Sequence, residues 1–174
     1  PGRDRGLLAL IGEVSAVTML PQIAAGGIMG SRQVQAVLAA GAAAAQCGTA
    51  FLRSPESGAH PLYKAALADP RYTATTVTRA FSGRPARGLV NEFIVEHADA
   101  PPAYPELNNA TRPLRAAAAA RGDTERMSLW AGQGYRLAAE LSALGARPHD
   151  APLPDAGAIR VDLAPGDQCD GQRP

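Results

Sequence analysis

The chain has 174 residues, 46% hydrophobic and 19% charged, with a net charge of +1. That composition can bury a core, and the near-neutral balance gives no reason to expect nucleic acid or an acidic surface as partner. Arginine carries nearly all the positive charge, since Lys64 is the only lysine.

In chain order, residues 6–16 place Leu7, Leu8, Leu10, Ile11 and Val14 at helical spacing. Residues 18–25 form a short apolar run stopped by Gly26-Gly27 and read as a fully buried strand. Ser31 is placed to cap a helix running to Ala40, with Val34, Val37 and Leu38 inward. Gly41 falls just past its end, where a left-handed residue is needed. Residues 42–47 read as a second strand, poor in bulk, which leaves room beside it. Pro61 to Ala68 reads as a short helix with Pro61 in its first turn, and Thr73 to Ala80 as extended. Residues 81–88 read as a turn-prone loop carrying Arg84 and Arg87, and residues 89–97 as helical. Residues 98–105 read as a proline-rich linker. Helices are expected over 107–121 and 135–144, joined by Trp130-Ala131-Gly132-Gln133-Gly134. From Arg147 onward Pro, Asp and Gly dominate, and a disordered tail is expected over 147–174.

The most informative feature is the pair of apolar segments that end in small residues: Pro21-Gln22-Ile23-Ala24-Ala25-Gly26-Gly27-Ile28 and, one helix later, Gln46-Cys47-Gly48-Thr49. They read as consecutive βα units. Small residues at a strand's carboxyl end let backbone N–H groups approach a phosphate closely. In a (β/α)₈ barrel the loops after the last two strands commonly form such a site, yet a barrel usually needs roughly 250 residues. The expected fold is therefore α/β, the last two βα units of a (β/α)₈ barrel over residues 1–52. A mostly helical extension follows over 53–146.

Cys47 and Cys169 are the only cysteines. They form no disulfide framework, which suits a reducing cytoplasm. Neither a signal peptide nor a transmembrane span is read, and the start resembles a cut from a longer polypeptide. Cysteines and histidines are scattered without ligand spacing, so no metal site is expected. Cys47 reads as a small packed residue rather than a nucleophile. Arg79, Arg84 and Arg87 suit either an anion clamp or structural pairing with Glu56, Glu92 or backbone carbonyls. Trp130 either packs between two helices or returns to the barrel mouth. His60 reads as a helix start, and His97 and His149 as solvated.

Four segments together resemble the C-terminal half of nitronate monooxygenases, formerly 2-nitropropane dioxygenases. They are Ile23 to Ile28, Gln46 to Leu52, Thr78-Arg79-Ala80-Phe81-Ser82-Gly83-Arg84-Pro85-Ala86-Arg87-Gly88, and Leu129 to Gln133. The resemblance spans about residues 7–145, and the Arg-Ala-Phe-Ser-Gly-Arg-Pro-Ala-Arg-Gly run is its most specific part. It implies an FMN enzyme that oxidises alkyl nitronates, such as propionate 3-nitronate, with O₂ to a carbonyl compound and nitrite. The flavin carries the difficult chemistry and the protein binds and orients. Carried over by position, Gly27 lies in the loop touching the FMN phosphate. Gln46, Cys47, Gly48 and Thr49 form the second phosphate segment. The family's catalytic base is a His in a Gly-Gly-His motif upstream of this region, and no such motif occurs here. No catalytic residue is therefore expected in this chain, which by itself should be inactive, and poorly soluble or oligomeric. The alternatives are a related flavin barrel, such as a flavin-dependent enoyl-acyl-carrier-protein reductase, and a non-catalytic remnant.

Overall fold

The computed structural model describes residues 5–143, so the expected tail over 147–174 and His149 lie outside the described residues. These form two units, residues 5–57 together with 137–143, and residues 58–136.

The first unit is built from α1 (Leu7–Ser15), β1 (Ile23–Ala25), α2 (Ser31–Ala39) and β2 (Ala44–Gln46). β1 and β2 pair in parallel, with Ile23 opposite Ala44, Ala24 opposite Ala45 and Ala25 opposite Gln46. Both helices pack on one face of this pair. Ile11 of α1 and Val34 and Val37 of α2 close over Ala24 and Ala45, joined by Ile28 and Ala42. The small strand residues let the helices approach closely, so volume comes from the helices rather than the sheet.

Three sequence expectations change here. The strand expected over 18–25 shrinks to three residues and is not fully buried. Ala24 is buried, but Ile23 is 68% exposed, because the face opposite the helices is uncovered. The strand expected over 42–47 likewise keeps only Ala44–Gln46. Ser31 is the first helical residue rather than the cap. Gly30 takes the cap position in extended conformation and no side chain caps the helix. Gly41 does end α2 with φ +105°.

The second unit contains α3 (Pro61–Ala66), β3 (Thr75–Thr78), β4 (Ala86–Leu89), α4 (Glu92–Glu96) and α5 (Glu106–Arg121). His60 caps α3, its Nδ1 accepting from the Leu62 N–H at 3.2 Å, and Pro61 occupies the first turn as read from sequence. β3 and β4 form an antiparallel hairpin with Thr75 opposite Leu89 and Thr78 opposite Ala86. This region is less helical than its sequence suggests. Arg87 and Gly88 lie on a strand rather than in a loop, and α4 begins only at Glu92. Trp130 does not join two helices. Its segment runs beside β4, with Leu89 N donating to Leu129 O at 2.8 Å and Ala131 N to Arg87 O at 3.0 Å. A Cβ on Gly88 would come within 2.9 Å of Leu129 O, so glycine is what lets this third segment approach.

The core here is closed. Phe81, Leu89 and Leu129 are fully buried, and Phe81 stacks on Phe93 at 4.6 Å and meets Trp130 edge-on at 5.7 Å. Asn91, 3% exposed, accepts from Ile94 N at 3.2 Å, capping α4. It donates to Thr124 O at 3.1 Å and Met127 O at 2.9 Å. Its amide is used on both sides, as burial requires. α5 carries Pro113 inside and ends at Gly122 with φ +75°. The helix expected over 135–144 reduces to a 3₁₀ turn, Tyr135–Leu137. The Glu56 carboxylate instead accepts from Ser142 Oγ at 2.7 Å and Ala143 N at 3.1 Å.

Candidate functional site

The parallel register decides where the glycine segments go. Ala25 and Gln46 are opposite one another, so the chain leaves both strands at the same edge. The loops Gly26-Gly27 and Cys47-Gly48-Thr49 therefore start side by side. The carboxyl edge of parallel strands is where open α/β sheets and α/β barrels bind ligands.

Gly26 has φ +110° and Gly27 φ +73°, so both need the left-handed freedom of glycine. Conformation alone accounts for them. The space is a separate observation. A Cβ built on Gly26, Gly27 or Gly48 meets nothing within 4 Å. Each of these three positions has room for a methyl group, as Gly6, Gly12, Gly58 and Gly122 also do.

Gly48 precedes the 3₁₀ turn Thr49–Phe51. That turn is tied down by Ser54 Oγ, which donates to Phe51 O at 2.9 Å. Gln46 and Gly48 are exposed, while Cys47 and Thr49 are half-buried. Cys47 packs against the α1–α2 core, and burial pushes its thiol up from the ordinary value. That disfavours the thiolate at neutral pH and agrees with reading Cys47 as a packing residue.

Two arginines of the 79–87 run, Arg84 and Arg87, are engaged within the second unit, while the buried Nε of Arg79 has no hydrogen-bond partner there. Arg87 Nη1 lies 3.3 Å from Thr75 O and from Thr75 Oγ1, the pairing with a backbone carbonyl that the sequence left open. Arg84 lies over the Tyr104 ring at 5.9 Å. Glu92 pairs with Arg126 at 3.3 Å and Glu56 with Ser142 and Ala143, so neither carboxylate is an anchor for that run. His97 ends α4 and is exposed, its ring edge-on to Phe93 at 4.3 Å. Among the described residues there is no cluster of three or more metal-ligating side chains, and no helix is long and apolar enough to cross a membrane.

The sequence missed two structural sites. Asn91 carries the turn into α4 and gives a weak signal, an Asn three residues before Ile94. Tyr72 is 2% exposed. Its hydroxyl lies 2.8 Å from Glu125 Oε1 and 2.6 Å from Thr124 Oγ1. Having one proton, it donates to the carboxylate and accepts from the threonine. Burial pushes its pKa up to about 12. Nothing local in the sequence marks it, because its partners lie some fifty residues away.

Fold and site together define an α/β protein whose adjacent parallel βα units present glycine loops at one carboxyl edge. Over residues 1–145 the chain matches the family described as nitronate monooxygenase, and it belongs to that family. It is 47% identical over 143 residues to nitronate monooxygenase from Pseudomonas aeruginosa, covering 79% of this chain and 40% of that protein. Among solved structures it resembles nitroalkane oxidase from Streptomyces ansochromogenes, with a TM-score of 0.78 and 57% identity. That match covers 79% of this chain and 40% of the oxidase. It also resembles FabK from Thermotoga maritima, with a TM-score of 0.65, 34% identity, and coverage of 82% and 46%. The chain thus spans less than half the length of these relatives.

Proposed function

We propose that this chain contributes the phosphate-binding part of an FMN site in a (β/α)₈-barrel nitronate monooxygenase. The observation that supports this reading is the meeting of the Gly26-Gly27 and Cys47-Gly48-Thr49 loops at one edge, with open space outside Gly27 and Gly48. Gly27, Gln46, Cys47, Gly48 and Thr49 are the residues that would hold the cofactor, chiefly through backbone N–H groups and the Thr49 hydroxyl. The bound flavin would supply the redox chemistry by which an alkyl nitronate and O₂ become a carbonyl compound and nitrite.

These residues bind and orient. No residue of this chain is assigned the role of catalytic base. The protein is read as cytoplasmic, with a small nitronate and O₂ as its partners and neither nucleic acid nor membrane.

The test is made in a protein carrying this segment together with the rest of the family fold. Gly27→Val should lower the flavin retained on purification, because a branched side chain then occupies the open space. Unchanged flavin content would remove the assignment. The unsubstituted protein should consume O₂ with propionate 3-nitronate and release nitrite without NAD(P)H. A flavin-dependent enoyl-acyl-carrier-protein reductase is the second reading, kept by the likeness to FabK at 34% identity. Rapid flavin reduction by NAD(P)H with no response to nitronates would favour it. The 174-residue chain alone should bind FMN weakly and release no nitrite.

A further inference from the structure

The second glycine loop opens a run of turns. After β2 the chain makes the 3₁₀ turn Thr49–Phe51, and the backbone bonds that follow stay short in sequence. Phe51 N donates to Gly48 O at 3.0 Å, Leu52 N to Thr49 O at 3.2 Å, Ser54 N to Phe51 O at 3.1 Å and Ser57 N to Ser54 O at 3.1 Å. Phe51 and Ser54 are buried and anchor the run from inside. Short turns have little stability of their own, so what else touches them helps to set their shape.

A second tie comes from far along the chain. Arg53 Nη1 donates to Ala138 O at 2.9 Å, and Arg53 Nη2 lies 3.4 Å from Glu140 Oε1. Glu56 accepts from Ser142 Oγ at 2.7 Å and from Ala143 N at 3.1 Å. Two side chains of the turn run therefore hold residues 138–143, which belong to the same unit. Those residues are in neither helix nor strand, and 139–142 are exposed. Ala138 is buried, but one small side chain cannot fix the whole segment. Polar contacts to Arg53 and Glu56 supply the rest. The Arg53 Nε is buried without a hydrogen-bond partner, a cost that the Nη contacts offset. The Ser142 hydroxyl first, and least of all that of Ser54, hold the Glu56 carboxyl below its ordinary value. Ser54 Oγ is also the donor to Phe51 O, so the tie reaches the 3₁₀ turn.

We propose that residues 138–143 form a strap that fixes the Thr49 turn, and that Arg53 and Glu56 are positioning residues for the phosphate end of the cofactor. Neither side chain touches the phosphate. Through them the Gly48 and Thr49 N–H groups keep one spacing, and the loop meets the phosphate already shaped. The positioning role rests on the FMN reading above; the hold of the strap on the turn does not.

The experiment uses the protein that carries this segment together with the rest of the family fold. Arg53→Met keeps the apolar stem and removes the donors. Glu56→Gln removes the carboxylate, and Ser142→Ala loosens the strap from its own side. Two quantities are read. One is amide exchange at Phe51, Leu52 and Ser54 in the flavin-free protein. The other is the Kd for FMN beside that for riboflavin, which has the same ring system and no phosphate. Arg53→Met should speed that exchange and weaken FMN by roughly tenfold, Glu56→Gln by less and Ser142→Ala by least, with riboflavin affinity unchanged. Should Arg53→Met fail to fold, Glu56→Gln and Ser142→Ala decide.

Unchanged exchange at the turn would overturn the strap. Faster exchange with unchanged FMN affinity would overturn the positioning role, and so would equal losses of FMN and riboflavin, the sign of general destabilisation. Weakened FMN in Arg53→Met with Glu56→Gln unaffected would put Arg53 on the phosphate itself and overturn it too. An unsubstituted protein that binds riboflavin as tightly as FMN would strike the phosphate reading, while the exchange result still judges the strap.

Discussion

Gly27 and Gly83 hold nearly the same backbone angle, φ +73° and +74°, in different units of the chain. A Cβ on Gly83 would sit 2.5 Å from the Ala103 carbonyl carbon and 2.8 Å from its nitrogen, whereas one on Gly27 meets nothing within 4 Å. The angle demands glycine at both positions, but only at Gly83 does packing demand it too. The same contrast runs through the two units. Residues 58–136 close around Phe81, Leu89 and Leu129, while residues 5–57 with 137–143 keep one sheet face bare.

The largest expected effect follows directly. Gly83→Val should destabilise the second unit by about 4 kcal/mol or more, because backbone cannot yield as a side chain can. Gly27→Val should cost only the strain of its angle, about 2 kcal/mol. Trp130, the only tryptophan, reports the second unit, so denaturant titration by its fluorescence measures the first variant. Amide exchange in β1 and β2 measures the other. Equal losses would erase the distinction between a packed and an open glycine.

Next come the apolar residues. Leu129→Ala removes a fully buried side chain and should cost about 2–5 kcal/mol. Ile23→Ala, at 68% exposure, should stay within about 0.5 kcal/mol in the isolated chain. A large loss at Ile23 in the isolated chain would mean that the face is already covered there.

Asn91→Ala leaves the Ile94 amide without its cap and the Thr124 and Met127 carbonyls without a donor, for about 2 kcal/mol in the second unit.

The smallest effects are those of pH. Burial raises the Tyr72 pKa to about 12, so the folded state favours the neutral phenol. Its contribution is complete below the ordinary tyrosine value and is lost as pH rises through about 12. Tyr72→Phe should flatten that alkaline loss, read as tyrosinate absorbance alongside Trp130 fluorescence. On the acid side, the Ser142 hydroxyl lowers the Glu56 carboxyl and Arg71 lowers that of Asp69. Their contributions hold above the ordinary carboxylate values and fade as pH falls through the lowered ones. Glu56→Gln should release the Ser142–Ala143 segment, seen as faster exchange of the Ala143 amide.

Much was legible from the chain alone. The spacing of Leu7 to Val14 and of Val34 to Leu38, the stop at Gly41, the cap at His60 and the glycine pairs are local signals. Local sterics and periodicity answer for them. The family likeness was also in the sequence, carried by the run from Arg79 to Gly88 and by the two glycine segments. The candidate site was legible as residues but not as a place. The parallel register of Ala25 with Gln46 is what brings the loops together, and a register is a relation between strands.

Where the sequence reading went astray, distant contacts decided. Thr18 to Ala25 is mostly apolar, but a strand is only as long as its ladder, and among the described residues β1 has one neighbour. Arg87, Gly88 and Trp130 looked like loop and connector. They became strand and bridge because Leu89 and Leu129 share a buried seam whose hydrogen bonds span forty residues. Composition and periodicity report what a segment can bury. Which segment lies opposite, and whether the space beyond a glycine is filled, depends on the rest of the fold.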